Sequence, residues 1–206
     1  MLIGLVGHKG AGKTSITNAA FTVMPYDSWV RIGLADPITE MLITMGVPKA
    51  VARNKRRWDE PLEILCGKTM RQAARTLGTD WGRELVGLNV WTGLALERVK
   101  RFERDGKHVV IDNVRFHSEF NAIKRAGGVM IAFRRPFHEL SPEEMAEPSE
   151  RDIPDIQRKC DYHFSNEHAV RRSAARFRAL LINAYEQRRA AVAMAAVGYC
   201  PPGPQR

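Results

Sequence analysis

The chain has 206 residues, of which 44% are hydrophobic and 27% are charged. These proportions are close to the averages for soluble globular proteins, so disordered and fibrous classes are excluded, and the length is sufficient for one sizeable core. Thirty-two Lys and Arg residues against 23 Asp and Glu residues leave a formal net charge of +9, which favours polyanionic partners.

The cysteines and the apolar segments exclude further classes. Cys66, Cys160 and Cys200 are odd in number and far apart, and their spacing is not that of a zinc site or a disulfide framework. The apolar start MLIGLVG is too short for a signal peptide, and no run approaches the roughly 18 apolar residues of a membrane span. We expect a protein of the reducing cytoplasm without a membrane partner.

The first predicted elements are a strand, a glycine-rich loop and a helix. The apolar run LIGLVG at 2–7 predicts a buried strand, and KTSITNAAFTVM at 13–24 has helical spacing. Between them, GHKGAGKT at 7–14 matches G-x-x-x-x-G-K-[ST], a loop whose backbone N–H groups hold phosphate at a helix N-terminus. Lys13 is expected to reach the β- and γ-phosphates, and the Thr14 hydroxyl to bind Mg²⁺. The predicted ATP site comprises Gly7, Lys9, Gly10, Ala11, Gly12, Lys13, Thr14 and Ser15.

Apolar, β-branched runs then alternate with helical patterns. The runs lie at 29–35, 108–114, 129–133 and 160–165, and the helical patterns lie at 69–79, 82–104, 116–126 and 168–195. This alternation predicts a parallel sheet with helices on both faces. We predict an α/β fold of the P-loop NTPase class, in which three layers surround a five-stranded parallel sheet in a single domain at 1–196. Residues 197–206, which end in CPPGPQR, are predicted to form a loose tail.

Two stretches interrupt the alternation. Residues 46–68 contain two prolines and the basic cluster RNKRRW, and residues 135–155 contain four prolines in an acidic, polar setting. Insertions between strands are common places for lids and substrate caps.

Asp112 and Arg115 lie in VVIDNVRF, at the end of the predicted strand 108–114. A carboxylate there could hold water on Mg²⁺ or orient an acceptor, so Thr14 and Asp112 form the predicted metal site; capping a helix is the alternative role for Asp112. Arg115 would face the crevice beyond the strand ends, where open α/β sheets bind ligands, and an ion pair with Glu119 is its alternative role. The guanine-reading N-K-x-D of a GTPase is not supplied by NKRR at 54–57.

Arginines supply the cations that phosphoryl transfer between two phosphorylated molecules requires. Several negative charges come within a few ångströms in such a reaction, and the planar guanidinium suits their oxygens. For any one arginine, a solvated surface charge is the alternative. The candidates at predicted element ends or in insertions are Arg71, Arg75, Arg83, Arg115, Arg134 and Arg135.

Six stretches together resemble the phage-type deoxynucleoside monophosphate kinases. They are GLVGHKGAGKTS, LADPITEML, MRQAARTLGTDWGRE, VVIDNVRFHSEFNAIKRAGG, EPSE and CDYHFSN, and the resemblance extends from about residue 2 to about 185. It implies a nucleoside monophosphate kinase fold, ATP as donor with Mg²⁺, a deoxynucleoside monophosphate as acceptor, and the host cytoplasm as location if a phage encodes the chain. It also implies an acceptor-binding insertion at about 36–107 and a short lid at about 134–157.

The resemblance further implies roles for individual residues. Asp36, Arg71, Thr79 and Arg83 would line the acceptor site, with Asp112, Arg115 and Glu119 at its floor. Arg134 or Arg135 would clamp the transferring phosphoryl group. Arg75 stands where Gln is common in the family, which leaves the accepted base open.

Other functions fit parts of the pattern. Asp36 follows the second predicted strand and could act as the base of a nucleoside kinase, and dephospho-coenzyme A kinase is a further enzyme alternative. A different class is a nucleic-acid-binding module switched by ATP, although no recognised nucleic-acid motif is present and we expect no nucleic-acid partner. The sequence is compatible with a homodimer and does not determine the oligomeric state.

Overall fold

A computed structural model describes residues 1–24, 28–136 and 138–196. Its strands are β1 (Leu2–Val6), β2 (Trp29–Ile32), β3 (His108–Val114), β4 (Val129–Arg134) and β5 (Tyr162–Ser165). They form one five-stranded sheet in the order β2-β3-β1-β4-β5, and every pairing is parallel. The predicted α/β fold with a five-stranded parallel sheet is therefore confirmed.

β1 occupies the centre of the sheet. Leu2 is in register with Val109 of β3, and Ile3 is in register with Val129 of β4. All five residues of β1 are buried, because helices cover both faces of a parallel sheet and leave no polar side.

The helices are α1 (Lys13–Phe21), α2 (Asp36–Thr44), α3 (Lys49–Ala52), α4 (Met70–Arg75), α5 (Val90–Arg104), α6 (His117–Arg125), α7 (Pro142–Ala146), α8 (Pro148–Arg151), α9 (Ile153–Arg158) and α10 (Val170–Ala196). α1 and α10 pack on one face of the sheet, and α5, α6 and α9 pack on the other. The arrangement is the predicted three-layer architecture.

An aromatic cluster joins α10 to the sheet. The rings of Phe133 and Phe164 lie 4.6 Å apart between centroids, and Phe177 of α10 lies 5.1 Å from Phe133 and 5.3 Å from Phe164. Burial of a phenylalanine side chain contributes about 1.5–3 kcal/mol to the free energy of unfolding. This contact fixes the apolar stripe of α10 against β4 and β5.

The chain between β2 and β3 forms a small core of its own. Its buried residues are Ile38, Leu42, Val47, Val51, Ala52, Met70 and Trp91. α4 begins with a capping box in which the Thr69 hydroxyl accepts from the Gln72 N–H and the Gln72 side chain accepts from the Thr69 N–H. The helices of this insertion therefore pack on each other beside the sheet.

The predicted helices 69–79 and 82–104 have different boundaries in the structure. α4 continues into a π-helix, Thr76–Val86, and α5 starts only at Val90. The Trp91 indole N–H donates to the Gly78 carbonyl at 2.7 Å, and a Cβ on Gly82 would lie 2.4 Å from the Trp91 ring. The wider π-turn and the glycine accommodate this ring, which spacing alone did not indicate.

The second half of the segment 134–157 belongs to the core. Ile153 and Ile156 of α9 are fully buried against the sheet, whereas most of α7 is exposed. Within the described residues, no helix combines the length and hydrophobicity needed to cross a bilayer. Cys66 and Cys160 are free thiols. Cys200 and the predicted tail 197–206 lie outside the described residues.

Candidate functional site

The glycine-rich loop connects the carboxyl end of β1 to the N-terminus of α1. Gly10 and Gly12 have φ angles of 79° and 89°, in the left-handed region that favours glycine. A Cβ on Gly7 would lie 2.4 Å from the Phe133 carbonyl oxygen, so β4 approaches the loop only because Gly7 lacks a side chain. The first turn of α1 has neither a side-chain cap nor an acidic residue, which leaves its N–H groups for an anion.

Lys13 is buried within this loop. Its Nζ donates to the Gly7 carbonyl and, at 2.9 Å, to the His8 carbonyl, and the residue is 7% exposed. Burial, together with the nearby Arg115 guanidinium, lowers the pKa of the Lys13 amine to about 7. Burial and Arg115 thus disfavour the charged form of Lys13, and a bound anion would stabilise that form.

We expect ATP binding to restore the proton on Lys13. The free amine is about 90% neutral at about pH 8, one unit above its pKa, and neighbouring phosphates favour its charged form. Binding should therefore take up about one proton at about pH 8 and close to none on this residue at about pH 6. Calorimetric titration in two buffers of different ionisation enthalpy measures the uptake. In Lys13→Arg, whose guanidinium stays charged in this pH range, the proton uptake should vanish. Equal proton uptake by both proteins would contradict its assignment to Lys13.

Thr14 and Asp112 meet beside the loop. The Thr14 hydroxyl donates to Asp112 Oδ2 at 2.6 Å, Arg31 Nη1 lies 3.1 Å from the same oxygen, and Asp112 is 3% exposed. Within the described residues, no three His, Cys, Asp or Glu side chains converge on one metal position. Mg²⁺ commonly takes one or two protein oxygens and completes its shell with water and phosphate, so this pair fits Mg²⁺.

Arg115, Glu119 and Arg83 form a group beyond β3 in which Glu119 is buried and the two arginines are half-buried. Glu119 Oε2 accepts from the backbone N–H groups of Arg115 and Phe116 at 2.8 and 3.2 Å, and Glu119 Oε1 lies 3.4 Å from Arg83 Nη1. Burial raises the pKa of the Glu119 carboxyl and lowers that of the Arg115 guanidinium. The Arg83 guanidinium also stacks on the Phe116 ring at 3.8 Å. The expected proximity of Arg115 and Glu119 is present, but it runs through the Arg115 backbone.

The segment after β4 contacts the outer turn of the loop. Arg135 Nη1 donates to the Gly10 carbonyl at 3.3 Å, and His138 Nε2 lies 2.8 Å from the Lys9 carbonyl oxygen. The Lys9 ammonium pairs with Glu144 at 3.2 Å. A cavity of about 410 Å³ lies on this side, lined by His8, Ala11, Arg134, Arg135, His138 and Ser165 among others.

The remaining predicted residues lie in the insertion. Asp36 is the first residue of α2, where its carboxylate accepts from the Gly33 N–H at 2.7 Å and lies 3.8 Å from Arg98. Arg71 is exposed on α4 and makes a bidentate ion pair with Asp59, at 2.6 and 2.9 Å. Arg75 and Thr79 are exposed. None of these four side chains contacts the loop in the described part of the chain.

Two polar residues at the loop, Arg31 and Asn166, were not singled out from the sequence, and Glu150 was noted only within the EPSE stretch. Arg31 reaches Asp112 from β2, and Asn166, just after β5, donates to the Ala11 carbonyl at 3.1 Å. Glu150 of α8 contacts His8 and the Lys9 N–H. Glu150 belongs to the EPSE stretch, but no spacing in the sequence connects it to a loop more than a hundred residues earlier.

A viral relative covers most of the chain. No protein-family model matches the sequence. A protein of Acanthamoeba polyphaga mimivirus named "Putative deoxynucleotide monophosphate kinase" is 29% identical over 148 residues, which is 66% of this chain and 75% of the relative.

A solved structure shares the fold. Shikimate kinase from Aquifex aeolicus superposes with a TM-score of 0.50 at 13% identity, covering 90% of this chain and 98% of that chain. The sheet and the helices on its two faces therefore share the fold of that shikimate kinase.

Proposed function

We propose that the protein transfers the γ-phosphoryl group of ATP to a deoxynucleoside monophosphate, giving ADP and a deoxynucleoside diphosphate. The observation that carries the proposal is the convergence of the glycine-rich loop, Asp112 and Arg115 at the carboxyl edge of the sheet. The name of the mimivirus relative and the six family-like stretches support the choice of acceptor.

The donor half of the site would be formed by the loop. Its N–H groups and Lys13 would bind the ATP phosphates, and Thr14 and Asp112 would hold Mg²⁺. When bound, Mg²⁺ neutralises charge on the phosphate oxygens. A pKa of about 7 leaves part of the Lys13 amine neutral in the free protein near neutral pH, and bound phosphate would favour its charged form.

The acceptor half would lie between Arg115, Arg83 and the insertion. A monophosphate already presents an anionic nucleophile near neutral pH, so no general base is required. A nucleoside kinase, in contrast, must remove a proton from a hydroxyl group. Asp36, the candidate base, is engaged by the Gly33 N–H and lies near Arg98, which favours a structural role and a monophosphate acceptor.

The segment from Arg134 to Glu150 would act as the lid. Its contacts with residues 8–10 of the loop support this proposal. Excluding water there would favour transfer to the acceptor over hydrolysis.

The decisive experiment measures ADP formation from ATP and Mg²⁺ with separate acceptors. The acceptors are the common deoxynucleoside and ribonucleoside monophosphates, deoxynucleosides and dephospho-coenzyme A. ADP formed only with one or a few deoxynucleoside monophosphates would support the proposal and name the bases. Transfer to a nucleoside or to dephospho-coenzyme A would replace it with that alternative. ATP binding without transfer to any acceptor would favour the switched module, which should bind nucleic acid in a salt-dependent way.

We expect Arg71→Ala to weaken acceptor use more than donor use. Loss of one charged hydrogen-bond donor to phosphate costs about 1.5–3 kcal/mol, so the acceptor KM should rise about 10- to 100-fold, with the ATP KM changed less than about threefold. Steady-state kinetics with each substrate varied in turn measures both. Arg158→Ala, which also removes an exposed arginine–aspartate ion pair, with Asp155, is the control. An unchanged acceptor KM would remove Arg71 from the site.

A further inference from the structure

Glu150 is a buried carboxylate that the donor and acceptor scheme does not use. It lies in α8 and is 1% exposed, although α7 and Glu147 just before it are largely exposed. A buried carboxylate is costly unless its oxygens are paired, so its partners define its role.

The partners come from two separate segments of the site. Oε1 pairs with Arg115 Nη1, just after β3. Oε2 accepts from the Lys9 N–H at 3.2 Å and lies 2.9 Å from His8 Nδ1. One carboxylate thus joins the segment after β4, the residue after β3 and the turn of the glycine-rich loop at His8 and Lys9 (the Lys9 turn).

Arg115 depends on this contact for its side-chain position. Within the described part of the chain, Glu150 is the carboxylate that pairs with the Arg115 guanidinium, since Glu119 contacts only the Arg115 backbone. Arginine has many rotamers, and a buried, fixed carboxylate selects one of them. Arg115 and Lys13 repel each other across the site, so a negative group between the loop and Arg115 also stabilises the pair.

The contact also links Arg115 to the position of the lid. Glu150 lies at the end of the segment whose other residues, Arg135, His138 and Glu144, contact residues 9 and 10 of the loop. Displacement of this segment would move Glu150 away and break its contacts with Arg115 and with the Lys9 turn.

We propose that Glu150 is a positioning residue that fixes Arg115 and the Lys9 turn at the phosphate site when the segment 134–150 covers the loop. As a step in phosphoryl transfer, this role depends on the proposed function. It assigns to α8 the assembly of the cationic site, in addition to the exclusion of water.

The test is a double-mutant cycle with Glu150→Gln and Arg115→Gln. Glutamine is isosteric and can still accept from the Lys9 N–H, so the change removes mainly the ionic contact with Arg115. We expect kcat to fall about 30-fold in Glu150→Gln. The double variant should be no more than about twofold slower than Arg115→Gln alone. If the loss of kcat in the double variant were the product of the two single-variant losses, the proposal would be overturned. Wild-type turnover in Glu150→Gln would overturn it as well.

Two controls separate positioning from folding. Glu186→Gln removes an exposed carboxylate of α10, away from the lid, and should leave kcat unchanged. Glu150→Asp keeps the charge but shortens the side chain, and it should retain more activity than Glu150→Gln if the charge acts on Arg115. Melting temperatures of all variants identify any loss caused by unfolding. Equal losses in the Asp and Gln variants at wild-type melting temperature would contradict an ionic role.

A binding measurement keeps the test independent of turnover. The four proteins of the cycle are titrated calorimetrically with inorganic pyrophosphate, which probes the anion site without any acceptor. Non-additive changes in affinity would support the coupling, and additive changes would overturn it. Absence of turnover in the wild type with every acceptor would reject the proposed function alone, because the pyrophosphate cycle would still decide the role of Glu150.

Discussion

Turnover of Lys13→Ala is expected to fall about 1000-fold, which corresponds to about 4 kcal/mol of activation free energy. The Nζ of Lys13 is enclosed by the carbonyl groups of Gly7 and His8, and no other lysine of the described chain lies within the loop turn that follows β1 except the exposed Lys9. Alanine removes the buried cation of the loop itself within the described residues. ATP affinity should fall less, because the N–H groups of the loop remain.

The measurement is kcat at saturating ATP and acceptor, compared with Lys68→Ala. Lys68 is an exposed lysine before α4 whose side chain makes no hydrogen bond or ion pair with the described residues of the loop, so its loss should leave kcat within about twofold of the wild type. Thermal melting confirms that both variants are folded. If Lys13→Ala retained more than about a tenth of wild-type turnover, the loop could not be the donor site.

The second large effect is expected for Asp112→Asn, in which turnover should fall about 100- to 1000-fold. Asparagine keeps an oxygen that can accept from the Thr14 hydroxyl, so this hydrogen bond can remain while the charge is lost. The Mg²⁺ concentration for half-maximal activity should rise at least about 10-fold. Arg31, which pairs with Asp112 at 3.1 Å, would then have no carboxylate partner there and would add to the repulsion of a divalent cation.

A magnesium titration of activity separates the two roles that Asp112 could have. Asp155→Asn, which removes a carboxylate from exposed ion pairs on α9, is the matched control and should leave both quantities unchanged. A loss of turnover with an unchanged magnesium requirement would assign Asp112 to the acceptor and remove it from the metal site. Wild-type turnover of Asp112→Asn would exclude Asp112 from both the metal site and the acceptor site.

The strands and the loop could be predicted because their signals are local. A parallel strand buried on both faces is a continuous apolar run; four of the five runs contain the observed strand, and β4 extends one residue beyond its run, to Arg134. The loop motif fixes the backbone through Gly10 and Gly12 within a few residues of Lys13. Neighbouring residues therefore carried the information for this half of the site.

The other half depends on contacts between residues far apart in the chain. Glu150 meets His8 across 142 positions, and Arg31 meets Asp112 across 81. No spacing rule relates such positions, because the sheet order and the path of the lid determine them. The π-helix before α5 was missed although its contacts are shorter in range: Trp91 of α5 packs on Gly78 and Gly82, and apolar spacing does not indicate that contact.

The central position of β1 has a consequence for how the chain folds during synthesis. Its partners β3 and β4 begin about a hundred or more residues later, at His108 and Val129. At about 5–20 residues per second, a ribosome needs roughly 5–20 seconds to complete the first of them. During that interval the wholly apolar β1 emerges without a strand on either side, and its exposed edges are open to pairing with other chains. The yield of native protein should therefore depend on chaperones that bind nascent apolar segments, and on elongation rate through the insertion that separates β2 from β3.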